Sequence, residues 1–315
     1  MRKLLSVVLP CHNEAENIKL LVPEIIKNIP SGFNYEIICV DDGSKDKTRS
    51  EITNLCRRSK KIKGVFLYKR SGHQAALRAG LLCAKGVAII TMDADFQHPP
   101  TLIPKFVALW QKGFDVVNAC KAEDKSVDFA TRQGRKIGYF LWQKITGGLI
   151  RPAVSDFRLI SSEVVTYLKS SHETKFFLRG MVSLAGKNIT EISYRVNKRR
   201  FGNSSYSLSA FVNMFVEGFV SFSLKPLRLA FVVGSVVIIV TMIVFFFDLL
   251  LALRANRPII EGYKTLAFLS IILNGFIIIY MSILGEYLGV IFSEVKKRPS
   301  YIVKETLNID ESHRS

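Results

Sequence analysis

Ile89 to Pro100 reads IITMDADFQHPP, an apolar run that ends on two aspartates one residue apart. At a strand end, period-two geometry points Asp93 and Asp95 to the same side. Like charges that close disfavour ionising both, unless a cation lies between them. A hard divalent cation takes such oxygen ligands, and Gln97 offers a neutral one two residues on. A metal shared with a diphosphate neutralises charge on a departing nucleoside diphosphate. The plainer alternative for Asp-x-Asp is a solvated loop.

Other polar clusters carry compatible chemistry. VDDGSKDKT places Asp41 and Asp42 before the turn residue Gly43. A strand-end carboxylate accepts from a base N–H, which suits a nucleotide, while Ser44 or Asp46 is expected to cap the following helix. PCHNE adds donors and acceptors at His12, Asn13 and Glu14. No second His or Cys stands at metal-ligand spacing from His12. In KRRFGNSSYS, Arg199 and Arg200, with Ser204 and Ser205, suit a phosphate cradle, although a general lipid-headgroup run reads similarly. Arg132 and Arg135 form a weaker case of the same kind. Asp156, in SDFRL, is either an active-site carboxylate or a structural cap after the break at Pro152.

The elements that must hold these residues alternate. LLSVVLP, YEIICVDD, GVFLYK, VAIITMD and DVVNACK read as buried strands. Helical stretches lie between them, which predicts an α/β doubly wound domain. The clusters PCHNE, DDGSKD and DADFQH then fall at the carboxyl ends of strands, where such sheets bind ligands. Residues 132–148 and 206–224 are expected to be interfacial helices, and the polar tail after Tyr301 to be frayed.

The chain has 315 residues, is 49% hydrophobic and carries a formal net charge of +18. Its five cysteines show neither zinc nor disulfide spacing, which fits a reducing cytosol. The amino-terminal apolar run stops at Pro10 and is read as a strand rather than a signal peptide. Residues 229–247 and 265–284 are uncharged and long enough to cross a bilayer, the alternative being buried core helices. Basic residues at Lys225, Arg228 and 296–298 favour cytoplasmic flanks. A basic domain against an anionic leaflet accounts for the charge, and no nucleic-acid motif supports that other partner.

VVLPCHNEAENI, YEIICVDDGSKDKT, GHQAALRAGL, MDADFQHPP, SDFRL and RRFGNSSYS, followed by two spans, resemble the polyprenyl-phosphate glycosyltransferases of glycosyltransferase family 2. That group includes dolichol-phosphate mannose synthase and, nearer to this chain, bacterial undecaprenyl-phosphate glucosyltransferases. The resemblance implies a GT-A fold that moves one sugar, with inversion, from a nucleotide sugar to a lipid phosphate, using Mg²⁺ or Mn²⁺. UDP-glucose and undecaprenyl phosphate are the expected substrates, ahead of amino-sugar UDP donors and GDP-mannose. By that likeness Asp41 reads the base and Pro10, His12 and Glu14 line the nucleotide, with Asn13, Asp42 and His73 in the same group. Asp93 lies near ribose and diphosphate, and Asp95 and Gln97 join it around the metal. Arg199 grips the acceptor phosphate, helped by Arg132, Arg135, Arg200 and Ser204. Asp95 and Asp156 form the catalytic pair, Asp156 orienting sugar or acceptor rather than taking a proton.

The expected organisation is a cytoplasmic GT-A domain over 1–205, an interfacial helix over 206–226, two transmembrane helices (about 229–251 and 265–288) within 227–292, and a cytoplasmic tail over 293–315. That makes a multi-pass protein of the plasma membrane, with both termini cytoplasmic. Gly275 and Gly285 suit packing between copies, so a homo-oligomer is expected. A processive polysaccharide synthase is disfavoured because the chain has no Gln-x-x-Arg-Trp element. A non-catalytic component of lipid-sugar export is the rival from another class.

Overall fold

The computed structural model describes residues 2–122, 154–171, 177–195, 225–255 and 263–309. Both expected interfacial helices, and Arg132, Arg135, Arg199, Arg200 and Ser204, lie outside the described residues.

The five apolar runs form strands β1 (Lys3–Cys11), β2 (Phe33–Asp41), β3 (Ile62–Leu67), β4 (Ala88–Thr91) and β5 (Val116–Lys121). Helices α1 (Ala15–Lys27), α2 (Thr48–Arg58), α3 (His73–Cys83) and α4 (Ile103–Gln111) fall between them. Residues Leu5 to Cys11 of β1 are all buried, as a strand covered on both faces requires. Beyond them come β6 (Val154–Ser161), α5 (Ser162–Ser170), α6 (Leu178–Ala185), β7 (Ile189–Tyr194) and, far along the chain, β8 (Val303–Leu307).

These described strands make one mixed sheet in the order β7-β5-β6-β4-β1-β2-β3-β8. β1 runs parallel to both β2 and β4, so the strand order reverses at β1. The crevice outside the carboxyl ends at such a reversal is where open α/β sheets bind ligands. β6 is antiparallel to β4 and β5.

Two expectations are corrected here. Asp156 sits inside β6 rather than at a helix start, so it is no cap. The tail is not frayed over residues 303–307, which pair antiparallel with β3. Two β-branched residues, Val303 and Thr306, suit that strand, and the pairing covers an edge that β3 would otherwise leave open. The Tyr68 N–H donates to the Ile302 carbonyl at 2.8 Å, Arg49 pairs with Glu305, and Asn308 Nδ2 donates to the carbonyls of Cys56 and Ile62, each at 2.8 Å.

A second compact unit contains α7 (Lys225–Ala255) and α8 (Tyr263–Lys296). Within them Ala230–Phe247 and Leu266–Lys296 are long and apolar enough to cross a membrane. The Phe276 ring lies where a side chain at position 234 would stand, 2.3 Å from that Cβ, so Gly234 lets the two helices approach. Phe231, Ile243, Phe247, Ile271 and Ile278 are exposed, unlike the side chains of a buried core helix. Side chains at Gly275 and Gly285 would meet no atom within 4 Å.

Candidate active site

The acidic turn after β4 is tied from below. The Met92 N–H donates to the Val8 carbonyl at 3.1 Å, which holds the turn against β1. Asp95 Oδ1 accepts from the Gln97 N–H at 3.0 Å, and between them Phe96 adopts φ 65°, a region that bulky residues rarely occupy. The Asp93 N–H donates to His98 Nδ1 at 3.1 Å. His98 is buried and stacks on Phe157 at 5.0 Å. Asp93 Oδ1 is buried, lies 3.5 Å from His73 Nε2 and accepts no hydrogen bond. A buried carboxylate oxygen without a donor is costly unless a cation satisfies it. His73 stands near enough to offset part of that cost, and the paired carboxylates Asp93 and Asp95, with the Asp93 side chain still 34% exposed, fit a hard divalent ion. Among the described residues no three His, Cys, Asp or Glu side chains converge as a metal cage. The other coordination positions would fall to Gln97, water and substrate oxygens.

The loops after β1 and β2 are cross-bonded. His12 Nδ1 lies 2.8 Å from the Asp42 carbonyl, so Nδ1 carries the proton. The Asn13 N–H donates to Ser44 Oγ at 3.0 Å, and the Lys45 N–H to Asn13 Oδ1 at 2.9 Å. The Glu14 N–H donates to Thr48 Oγ1 at 2.8 Å. Gly43 has φ +62°, and a Cβ there would stand 2.6 Å from the Arg70 nitrogen. Asp46 precedes the cap position and accepts from the Thr48 and Ala15 N–H groups, serving the starts of both α2 and α1.

Asp41 is buried and accepts from the Ser44 N–H at 3.1 Å. Asp42 spends both oxygens on the Ser71 and Gly72 N–H groups, at 2.6 and 2.9 Å. That places His73 at the first turn of α3, between Asp93 and Asp156. The three clusters at the ends of β1, β2 and β4 thus form one site. Pro10 pairs with Val40 inside the sheet, one residue short of the first loop.

A second ionic group, centred on Asp156, borders the first. Its Oδ1 accepts from Arg179 Nε at 3.0 Å and its Oδ2 from Arg179 Nη2 at 3.1 Å. Arg158 Nη2 donates to Oδ1 at 3.3 Å and Gln74 Nε2 to Oδ2 at 3.4 Å. His73 Nε2 stands 3.5 Å from Oδ2. Burial alone would raise the Asp156 carboxyl, but Arg179, then His73 and Arg158, outweigh it and hold it well below the usual carboxylate range. Burial alone would lower the His73 imidazole, but Asp93 and Asp156 outweigh that and raise it to about 9. Burial pushes the His98 imidazole down.

Sequence reasoning missed Gln74, His98, Arg158 and Arg179 as site residues. His98 was visible in DADFQH and Arg158 in SDFRL. Arg179 lies 23 residues beyond Asp156 on a separate helix, with no motif to mark it.

Residues 6–168 match the family described as Glycosyl transferase family 2. A glycosyltransferase of Synechocystis is 32% identical over 97% of this chain and 96% of its own length. The SfII prophage-derived bactoprenol glucosyl transferase of Shigella flexneri is 35% identical over 96% of this chain and 98% of its own. Among solved structures, glucosyl-3-phosphoglycerate synthase from Mycobacterium tuberculosis, in complex with Mn²⁺, UDP and glucosyl-3-phosphoglycerate, aligns with a TM-score of 0.52 at 18% identity. It covers 70% of this chain and 80% of its own, a likeness of fold.

Proposed function

The chain belongs to glycosyl transferase family 2, and from that premise we propose that it moves glucose from UDP-glucose to a polyprenyl phosphate, with inversion, at a membrane. The observation that carries this reading is the run of contacts that joins Asp42, His73 and Asp93, on the turn that also holds Asp95, where the strand order reverses. The full-length likeness to bactoprenol glucosyl transferase supports sugar and acceptor, and the exposed apolar α7 and α8 support the membrane.

Asp41 and the cross-bonded loops after β1 and β2 receive the nucleotide. Asp93 and Asp95, with Gln97, would hold Mg²⁺ or Mn²⁺, which when bound neutralises charge on the departing diphosphate. The acceptor phosphate is already an anion at neutral pH. Its oxygen bonds to the anomeric carbon as the bond to the nucleoside diphosphate breaks, so no protein base is required. Orientation and charge stabilisation then carry the rate. The Asp156 geometry supports this, because an ionised carboxylate committed to Arg179 on both oxygens is poorly placed to take a proton. Arg199, with Arg132, Arg135, Arg200 and Ser204, is assigned to the acceptor phosphate from the motif alone. β8 joins the catalytic sheet directly after α8, which supports a cytoplasmic carboxyl flank.

A donor panel tests the reading. Purified full-length protein is given undecaprenyl phosphate, Mn²⁺ and, separately, UDP-glucose, UDP-N-acetylglucosamine or GDP-mannose, and the lipid-linked product is scored. UDP-glucose should be the productive donor. Turnover of another donor would overturn the sugar, and no turnover of any donor would favour the non-catalytic rival.

A further inference from the structure

The turn that carries Asp93 and Asp95 is held by a histidine with no part of its own in the transfer chemistry. His98 is 2% exposed and lies in an aromatic stack. Its ring is within 15° of coplanar with Phe157, at 5.0 Å, and meets Tyr194 edge-on at 5.9 Å. Phe157 in turn packs on Phe106 at 4.7 Å. The ring orientation is therefore fixed by packing as well as by its polar contact.

That orientation aims both nitrogens at one residue. Nδ1 accepts the Asp93 backbone N–H at 3.1 Å, so Nδ1 carries no proton and the neutral ring bears its hydrogen on Nε2. Nε2 stands 3.7 Å from Asp93 Oδ2. This is beyond hydrogen-bond length, a charge–dipole distance rather than a hydrogen bond. The other oxygen, Oδ1, is the buried one that accepts no hydrogen bond. One imidazole thus accepts from the Asp93 backbone and stands beside one of its carboxylate oxygens, while the other oxygen faces the His73 imidazole at 3.5 Å.

We propose that His98 is a positioning residue for the metal carboxylate Asp93, setting the acidic turn in its binding geometry before metal or nucleotide arrives. The proposal rests on the metal reading given above. It separates two functions of the ring, the acceptor nitrogen and the aromatic stack, and two substitutions separate them in turn. His98→Phe keeps the stack on Phe157 and removes the acceptor. His98→Asn supplies an amide oxygen close to where Nδ1 stood and removes the stack.

The experiment measures Mn²⁺ binding by electron paramagnetic resonance, with UDP present, on the full-length protein and both variants. Hydrogen exchange of the segment spanning residues 92–98 is followed without metal. His98→Phe should weaken Mn²⁺ binding by about tenfold or more and speed exchange at Asp93, as loss of a partner behind a metal ligand does. His98→Asn should recover Mn²⁺ affinity to within about threefold of wild type, while melting at a lower temperature because the stack is gone. Wild-type Mn²⁺ affinity in His98→Phe would overturn the proposal. So would His98→Asn binding as weakly as His98→Phe. Asp95→Asn, run alongside, tests the underlying reading. Unchanged Mn²⁺ binding in that variant would remove the metal site and this proposal with it, whereas loss there with normal binding in His98→Phe would refute the positioning role alone.

Discussion

At the scale of single residues, the site divides into carboxylates that wait for a ligand and carboxylates already committed. Asp93 Oδ1 has no donor, whereas Asp42 and Asp156 have both oxygens engaged. Asp95→Asn should abolish metal-dependent transfer while the protein still folds, since the amide keeps an oxygen to accept the Gln97 N–H. Undiminished turnover would remove Asp95 from the metal. Arg179→Ala should cost on the order of 2 kcal/mol of stability, less than a fully broken buried pair because Arg158 and His73 still face Asp156. Arg179→Lys should recover only part of it, because an ammonium does not reproduce the two-pronged contact. Equal stability of all three proteins would refute that role.

The Asp156 carboxyl also gives a pH dependence with a fixed sign. Its folded pKa is depressed, so its stabilisation is present above the unfolded value, about 3.9, and is lost as pH falls through the folded one. The gap in stability between wild type and Asp156→Asn should hold steady between about pH 5 and 8 and close below about pH 4. A gap that stayed open unchanged in acid would contradict the assignment.

At the scale of elements, the catalytic sheet was legible because its strands are near-continuous apolar runs ending on polar residues. β1 to β5 appear where those runs lie, and the three acidic clusters fall at their carboxyl ends. β8 was not legible, because VKETL is short, polar and separated from its partner β3 by more than two hundred residues. Only the open edge of β3 gives it a place. Ending the chain after Ser300 should uncover that edge, lower the melting temperature and promote aggregation. Glu305→Ala should cost less than about 1 kcal/mol, because both members of its pair with Arg49 are more than 40% exposed. Equal stability of the shortened chain and wild type would make β8 dispensable. The Asp156 group was hidden for a related reason. Its partners come from β6, α3 and α6, and no local spacing records that meeting.

At the scale of the whole molecule, a mixed-sheet unit and a helical unit share one chain, and β8 changes how they can be separated. A cut before Lys225 removes β8 together with the two apolar helices. Replacing residues 225–296 with a flexible linker keeps it. That protein should fold, bind UDP and transfer poorly to a long-chain lipid phosphate, while normal transfer would reduce α7 and α8 to tethers. The measurement that bears most directly on the account is glucose transfer from UDP-glucose by the full-length protein. Undecaprenyl phosphate and undecaprenol are compared as acceptors, each with Mn²⁺ and with the metal chelated. Product on the phosphate alone, lost on chelation, is the predicted result. Equal product on the alcohol, or product that survives chelation, would contradict a site built to join a phosphate anion to a sugar without a base.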